Sequence, residues 1–215
     1  MEAMGILLFG NYPQDPGKYV NGKRISIVDR QIITNPLMCL PVEWYVLSEE
    51  TDRMLLLSKY ALDFLPFNDW TADCEWENST LRGWLNGVFR YKNADGDEVD
   101  FLDVCFAEEE REQIVPDPQT GDKVFLLSLD EAFQYLQTND VRKCIPTAYA
   151  VSRLPNTHKY IDGDPCSWWL RTISDKTDRF IMTVERNGSF LKSGQLVSMS
   201  GIGVRPALWI KKVIQ

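Results

Sequence analysis

The sequence predicts a mixed α+β fold of short antiparallel strands with two or three flanking helices. Short apolar or alternating segments recur along the chain, bounded by Gly, Pro, Asn or Asp, which is strand-and-turn punctuation. One stretch has helical spacing instead: Leu81, Trp84, Leu85, Val88 and Phe89 fall at i, i+3, i+4, i+7 and i+8 and share one stripe. Near the C-terminus, Ser167-Trp168-Trp169-Leu170-Arg171 and Gly203-Val204-Arg205-Pro206-Ala207-Leu208-Trp209 set aromatics beside single arginines on extended segments. These two ribbons are expected to lie side by side in one sheet.

In chain order, residues 5–9 read as a first strand ending at Gly10. Residues 11–22 hold Pro13, Pro16, Gly17 and Gly22 and read as loop. Residues 24–28 alternate weakly. Residues 42–47 and 53–58 form a hairpin with a five-residue connection, and 59–68 read as irregular. The helical stripe follows, with Asn78 or Ser79 as N-cap, because either side chain accepts from an unpaired amide of the first turn. Residues 107–114 predict a short acidic helix and 123–127 a buried strand. Ser128-Leu129-Asp130-Glu131 matches a capping box that opens another helix. Residues 146–151 are a short element of open type, and 156–165 are loop. Residues 180–185 and 189–192 flank Arg186-Asn187-Gly188, where Asn-Gly suits a tight hairpin whose turn residues take positive φ. With neither a linker nor a composition break, residues 1–215 read as one domain.

A chain of 215 residues, 44% hydrophobic, can bury a substantial core. Its net charge of −8 argues against nucleic acid, whose phosphates demand a basic stripe. No apolar run approaches the roughly 18 residues needed to cross a bilayer. The start is apolar but short, with Glu2 where a secretory signal carries Lys or Arg. Cys39, Cys74, Cys105, Cys144 and Cys166 are widely spaced with no CxxC pair, so zinc and thioredoxin-type sites find no support. They read as small buried hydrophobes of a reducing cytoplasm, with one disulfide plus a spare thiol as the alternative. A secreted protein from which a signal was removed is the other option for the compartment.

Chemistry is sparse. Asn93-Ala94-Asp95-Gly96-Asp97 is like the centre of a calcium loop, but Tyr91 and Leu102 stand where carboxylate ligands belong. It reads as an exposed turn, as does Asp162-Gly163-Asp164. His158 is the single histidine, eight positions before Cys166, and nothing marks a third group to orient such a pair. Glycine-rich phosphate loops are absent. No metal or cofactor is expected.

In an extended segment Trp169 and Arg171 share one face and Trp168 and Leu170 the other, so one Trp is expected in the core and its neighbour partly exposed. Pro206 cannot donate to a ladder and predicts an edge strand or a bulge. Both arginines have two readings: a guanidinium that closes the sheet against carbonyls or a carboxylate, or a planar cation beside an indole, suited to a sugar or an acidic peptide.

Four segments carry a resemblance: Trp76-Glu77-Asn78-Ser79-Thr80-Leu81-Arg82-Gly83-Trp84-Leu85-Asn86, Val124-Phe125-Leu126-Leu127-Ser128, Trp168-Trp169-Leu170-Arg171 and the closing Gly203-to-Trp209 run. In order and spacing, over roughly residues 9–210, they resemble a bacterial family of domains of unknown function. That resemblance implies an architecture and no activity. The Gly-Val-Arg-Pro-Ala ending is also similar to the Gly-aromatic-Arg ending of C-type-lectin-like folds. These include the sulfatase-modifying oxidases that make formylglycine and the variable ligand-binding proteins of diversity-generating retroelements. A C-type-lectin-like fold is what this implies. The oxidases use a close cysteine pair near the C-terminus, whereas Cys166 has no cysteine near it in sequence, so that activity is not carried over. Calcium-dependent lectins pair a Glu-Pro-Asn or Gln-Pro-Asp motif with Trp-Asn-Asp. Here Val115-Pro116-Asp117 and Phe67-Asn68-Asp69 come in the wrong order, and Val115 is no ligand. Residues 90–103 look longer than usual and read as a surface insertion.

The function expected from all this is non-enzymatic recognition of a glycan or protein ligand. The face would lie on the polar loops and short strands of residues 171–201, held between rigid aromatic strands. Trp168, Arg171, Asp178, Arg179, Arg186 and Phe190 are the candidate binding residues. The alternative is a hydrolase acting on a glycan or peptide through carboxylates or Cys166, which requires a pocket with convergent polar groups.

Overall fold

A computed structural model describes residues 4–15, 18–20, 23–28, 31–34, 38–93, 96–154 and 163–212. In the first half the strands are β1 (Ile6–Asp15), β2 (Lys18–Val20), β3 (Lys23–Val28), β4 (Gln31–Thr34), β5 (Met38–Glu49), β6 (Arg53–Ser58), β7 (Asp63–Phe64), β8 (Tyr91–Lys92) and β9 (Glu98–Val99). Then come β10 (Ile114–Val115), β11 (Trp168–Ile173), β12 (Phe180–Val184), β13 (Phe190–Leu196), β14 (Gly203–Val204) and β15 (Ala207–Lys211). Helices are short: α1 (Thr80–Leu85), α2 (Phe101–Cys105), α3 (Glu108–Arg111), α4 (Leu129–Tyr135), α5 (Asn139–Arg142) and α6 (Ala148–Ser152). The mixed α+β class holds.

Two five-stranded sheets enclose the core, one in the order β1-β5-β6-β15-β10 and the other β13-β12-β11-β14-β7. Strands β2 to β4 form a separate three-stranded sheet, and β8 with β9 a hairpin. The expected 42–58 hairpin is present as β5 paired antiparallel with β6. Strand β1 runs on past Gly10 and Pro13 to Asp15 against β5, with a register shift between Leu8 and Asn11. Of the loop expected at 11–22, residues 11–15 are thus strand and residues 18–20 form β2; Pro16, Gly17 and Gly22 lie outside the described residues, as do Ala94, Asp95, His158 and Asp162.

The C-terminal ribbons correct the sequence reading. Gly203 pairs with Trp168 in a parallel bridge, so the start of the second ribbon does join the first. Ala207 to Lys211 then leave for the other sheet and pair antiparallel with β6. The crossing falls at Arg205-Pro206, because a residue without an N–H ends one ladder at no cost in lost donors. Its carbonyl still accepts from the Ser58 amide at 2.9 Å. Both Trp168 and Trp169 are fully buried, contrary to the expected split, because the sheet has packing on its two faces. Trp168 donates its indole N–H to the Arg142 carbonyl (3.0 Å) and Trp169 to that of Leu65 (3.0 Å).

The local signals read well. Ser79 caps α1 by accepting from the Arg82 amide (3.1 Å), and Ser128 with Glu131 forms the reciprocal box on α4. Yet α1 stops at Leu85, with Gly87 at φ +78°, so Val88 is 83% exposed instead of continuing the stripe. The acidic helix shrinks to α3, and residues 146–151 resolve as α6. Residues 124–127 are buried but form no named strand: their one β-bridge among the described residues is Phe125–Ala207, while the Leu127 carbonyl accepts from the Arg171 amide (3.0 Å) and Val124 is held by the Asn86 side chain. The β12–β13 turn closes through the Gly188 amide donating to Glu185 (2.8 Å), with Gly188 at φ +84°. That is a three-residue loop with glycine in the left-handed position. Within residues 90–103, β8 and β9 form the hairpin, while Asp100 and Phe101 are buried.

Candidate ligand-binding groove

The six residues singled out by the sequence do not share one face. Trp168 is inside the core. Arg171 is nearly so: its guanidinium makes a two-pronged pair with Glu131 (2.5 and 2.8 Å) and donates to the Leu126 carbonyl at 2.5 Å. Arg171 thus has the structural one of its two readings, a guanidinium held by a carbonyl and a carboxylate. Phe190 is half-buried, its ring 4.4 Å from that of Phe133 and 4.4 Å from the Arg142 guanidinium carbon. Arg186 is exposed in the β12–β13 turn. Asp178 and Arg179 lie at the other end of β12, roughly 20 Å away along an extended strand. One small ligand does not span that distance.

Asp178 and Arg179 lead to a different place. The Asp178 carbonyl accepts from the Cys74 amide (2.9 Å), and Arg179 pairs with Asp73 (3.2 Å). Thr71 and Ser198 share a hydroxyl hydrogen bond (3.0 Å), and the Asn68 amide donates to Val197 (3.0 Å). Residues 68–74 are thus tied down by two C-terminal loops. The buried Asn68 organises them: its Nδ2 donates to the Trp70 carbonyl (3.1 Å) while its Oδ1 accepts from Thr80 at the start of α1 (3.2 Å). This fixes the Trp70 backbone, while the residue stays 58% exposed.

Beside Trp70 opens a groove of about 340 Å³ whose walls include Glu77, Asn78, Arg82, Val88 and Phe89. Its floor follows from the local sequence. Asn78 accepts the Glu75 amide (2.9 Å), shaping the turn before α1, and the buried Trp76 donates its indole N–H to Asp122 (2.8 Å). Asp122, itself buried, also takes Arg82 in a two-pronged contact (2.9 and 3.0 Å to Nε) and holds that guanidinium even further above its ordinary range. Among the described residues neither the Trp70 indole N–H nor the Glu77 carboxylate has a hydrogen-bond partner. The groove therefore offers an open aromatic face, a carboxylate acceptor and an anchored cation. Phe67-Asn68-Asp69 and the capping residues were visible in the sequence. What escaped was Trp70, whose signal is a large aromatic in a polar stretch without alternation.

The other candidate chemistries are placed as follows. Cys166 is buried, and its hydrogen bond to Cys144, with burial, pushes its thiol up, which is the wrong direction for a nucleophile. Cys144 lies directly across a β-bridge from it, so the cysteine neighbour lacking in sequence exists in space. Asp117 is buried and accepts from the Gln119 and Thr120 amides (3.2 and 2.9 Å), the Thr120 hydroxyl (3.0 Å) and the Trp209 indole (3.3 Å). It closes a turn. Among the described residues no group of three or more His, Cys, Asp or Glu is gathered to hold a metal, and no helix is long and apolar enough to cross a membrane.

No curated protein and no solved structure matches the chain. A family model does, over residues 51–212, a stretch that contains all four resemblance segments, the groove and both ends of β12. The chain belongs to the family described as Domain of unknown function (DUF6273).

Proposed function

We propose that this is a non-enzymatic recognition domain of C-type-lectin-like architecture, that its ligand is a glycan, and that the ligand sits in the groove beside Trp70. The observation that carries the reading is an exposed indole, on a backbone held by a buried asparagine, beside a carboxylate with no hydrogen-bond partner among the described residues. Sugar rings present C–H faces that pack on an indole and hydroxyls that donate to a carboxylate. A groove of about 340 Å³ is within the usual range for small-ligand sites. The segment that carries Trp70 is braced by residues 178–179 and 197–198, so Asp178 and Arg179 support the face through Cys74 and Asp73 without lining the groove. The lectin-like assignment draws on the Gly203-Val204-Arg205-Pro206-Ala207 ending and on recognition loops carried by a rigid two-sheet core.

The experiment is a titration with a panel of neutral and acidic oligosaccharides, read by tryptophan fluorescence and calorimetry on the wild type and Trp70→Ala. Saturable binding by the wild type, weakened at least about tenfold in the variant at unchanged thermal stability, is the expected result. Equal binding by both proteins, or saturable binding of peptides alone, contradicts it.

A further inference from the structure

We propose that Cys144 and Cys166 are a peroxide-oxidisable dithiol whose disulfide clamps the base of the 145–165 connection onto the sheet that holds β11. The two residues face each other in an isolated antiparallel bridge, and the Cys166 amide donates to the Cys144 carbonyl at 2.8 Å. Paired residues of an antiparallel ladder have Cα atoms about 4.5 to 5.5 Å apart, inside the 4.4–6.8 Å window that a disulfide spans. Cys144 ends the turn after α5, and Cys166 opens the approach to β11, so no large backbone movement is needed to join them.

The surroundings favour a reactive pair over two inert thiols. Arg205 is completely buried, and among the described residues no carboxylate pairs with it and Nη2 has no partner: Nε donates to the Ser58 carbonyl (2.9 Å) and Nη1 to that of Arg142 (3.4 Å). A buried cation without a counter-charge is costly, and the thiols are titratable groups within its field. Burial pushes the Cys144 thiol up, but the hydrogen bond with Cys166 and the Arg205 charge together bring it below its ordinary value. Gly203 completes the pocket: a Cβ there would stand 3.0 Å from the Cys166 sulfur and 2.9 Å from the Ala61 methyl. The glycine of the family's closing segment thus leaves room for this sulfur.

Hydrogen peroxide is close to water in size, which suits thiols only 1% and 2% exposed. The Cys144 thiolate attacks one peroxide oxygen, the O–O bond breaks, and hydroxide leaves to take up a proton as water. The resulting sulfenic acid then loses its oxygen as a second water when the Cys166 sulfur displaces it, with the Cys166 proton going to that water. Two thiols are oxidised by two electrons and one peroxide is reduced to two waters.

The test treats the reduced full-length chain with about one equivalent of peroxide. It reads the thiol count, the cross-linked peptides after digestion and the melting temperature. Expected are the loss of two thiols, a Cys144–Cys166 peptide, and a Tm rise of about 5–10 °C that dithiothreitol reverses. In Cys166→Ala, dimedone should trap a sulfenic acid at Cys144. Oxidation confined to the exposed Cys39, or sulfinic acids without the cross-link, overturns the proposal. So does a cross-link without a Tm rise. The wild-type peptide map decides by itself if the variant does not fold.

Discussion

Arg205 lays its guanidinium carbon 5.0 Å from the centre of the Trp168 ring, and both side chains are fully buried. The pair sits where the chain passes from one sheet to the other: Trp168 belongs to β11, while Arg205 lies between β14 and β15 and holds the Ser58 carbonyl at the end of β6. An arginine suits this joint because it fills volume, stacks flat on an indole and donates in several directions. Arg205→Ala should cost about 3–5 kcal/mol, through the cavity and the loss of the guanidinium's bond to the Ser58 carbonyl; the Arg142 carbonyl keeps the Trp168 indole N–H. Urea unfolding measures it; a cost under about 1 kcal/mol would remove the joint's importance.

Arg171 does for α4 what Arg205 does for the sheets. Glu131 Oε2 accepts both from Arg171 and from the Ser128 amide (2.7 Å), so one carboxylate caps the helix and neutralises a buried cation. Glu131→Gln should destabilise by about 2–3 kcal/mol and leave the ligand affinity of the folded fraction unchanged. Parallel unfolding and binding curves check both halves.

Gly188 has no room for a side chain. Its φ is +84°, and a Cβ would overlap the Asn139 carbonyl, while its own carbonyl accepts from Arg142 Nε at 2.7 Å. Gly188→Ala should therefore cost at least about 2 kcal/mol, well above the usual penalty for a surface turn. Thermal melting of the variant gives the answer.

Alkaline pH should unfold this protein gradually. Burial first, and then the neighbouring Glu75 charge, raise the Cys74 thiol from its ordinary 9.0 to about 11. The native state thus holds its proton where the unfolded chain has lost it, so Cys74 contributes stability that is complete below pH 9 and falls away as pH rises to 11. Tyr12, Tyr91 and Cys105 are raised as well, chiefly by burial, and act in the same direction. Cys74→Ala should flatten the pH dependence of Tm between 9 and 11 without abolishing it.

How much of this was legible in the sequence follows the range of each contact. Ser79 and the Ser128–Glu131 box act within four residues, and the β5–β6 hairpin closes over a short turn, so their patterns are local and readable. Arg82 meets Asp122 and Cys144 meets Cys166 only through the fold, and no spacing encodes that. The α1 stripe reads longer in sequence than the helix is, because periodicity carries no account of Gly87. Alternation alone splits Trp168 and Trp169 between a covered and an open face, because it tells which side a residue points to, not whether that side is covered. The groove was missed for a related reason: its walls come from a loop before α1 and the residues just after it, while its braces come from loops more than 100 positions further on.

The most direct test of the recognition site is a map of ligand-induced amide and indole NMR shifts on the full chain, with the tightest-binding oligosaccharide. The groove account predicts the largest changes at the Trp70 indole and at the amides of residues 77–82, with small ones at Arg186 and Phe190. Shifts centred on the β12–β13 turn, with Trp70 unmoved, would contradict it.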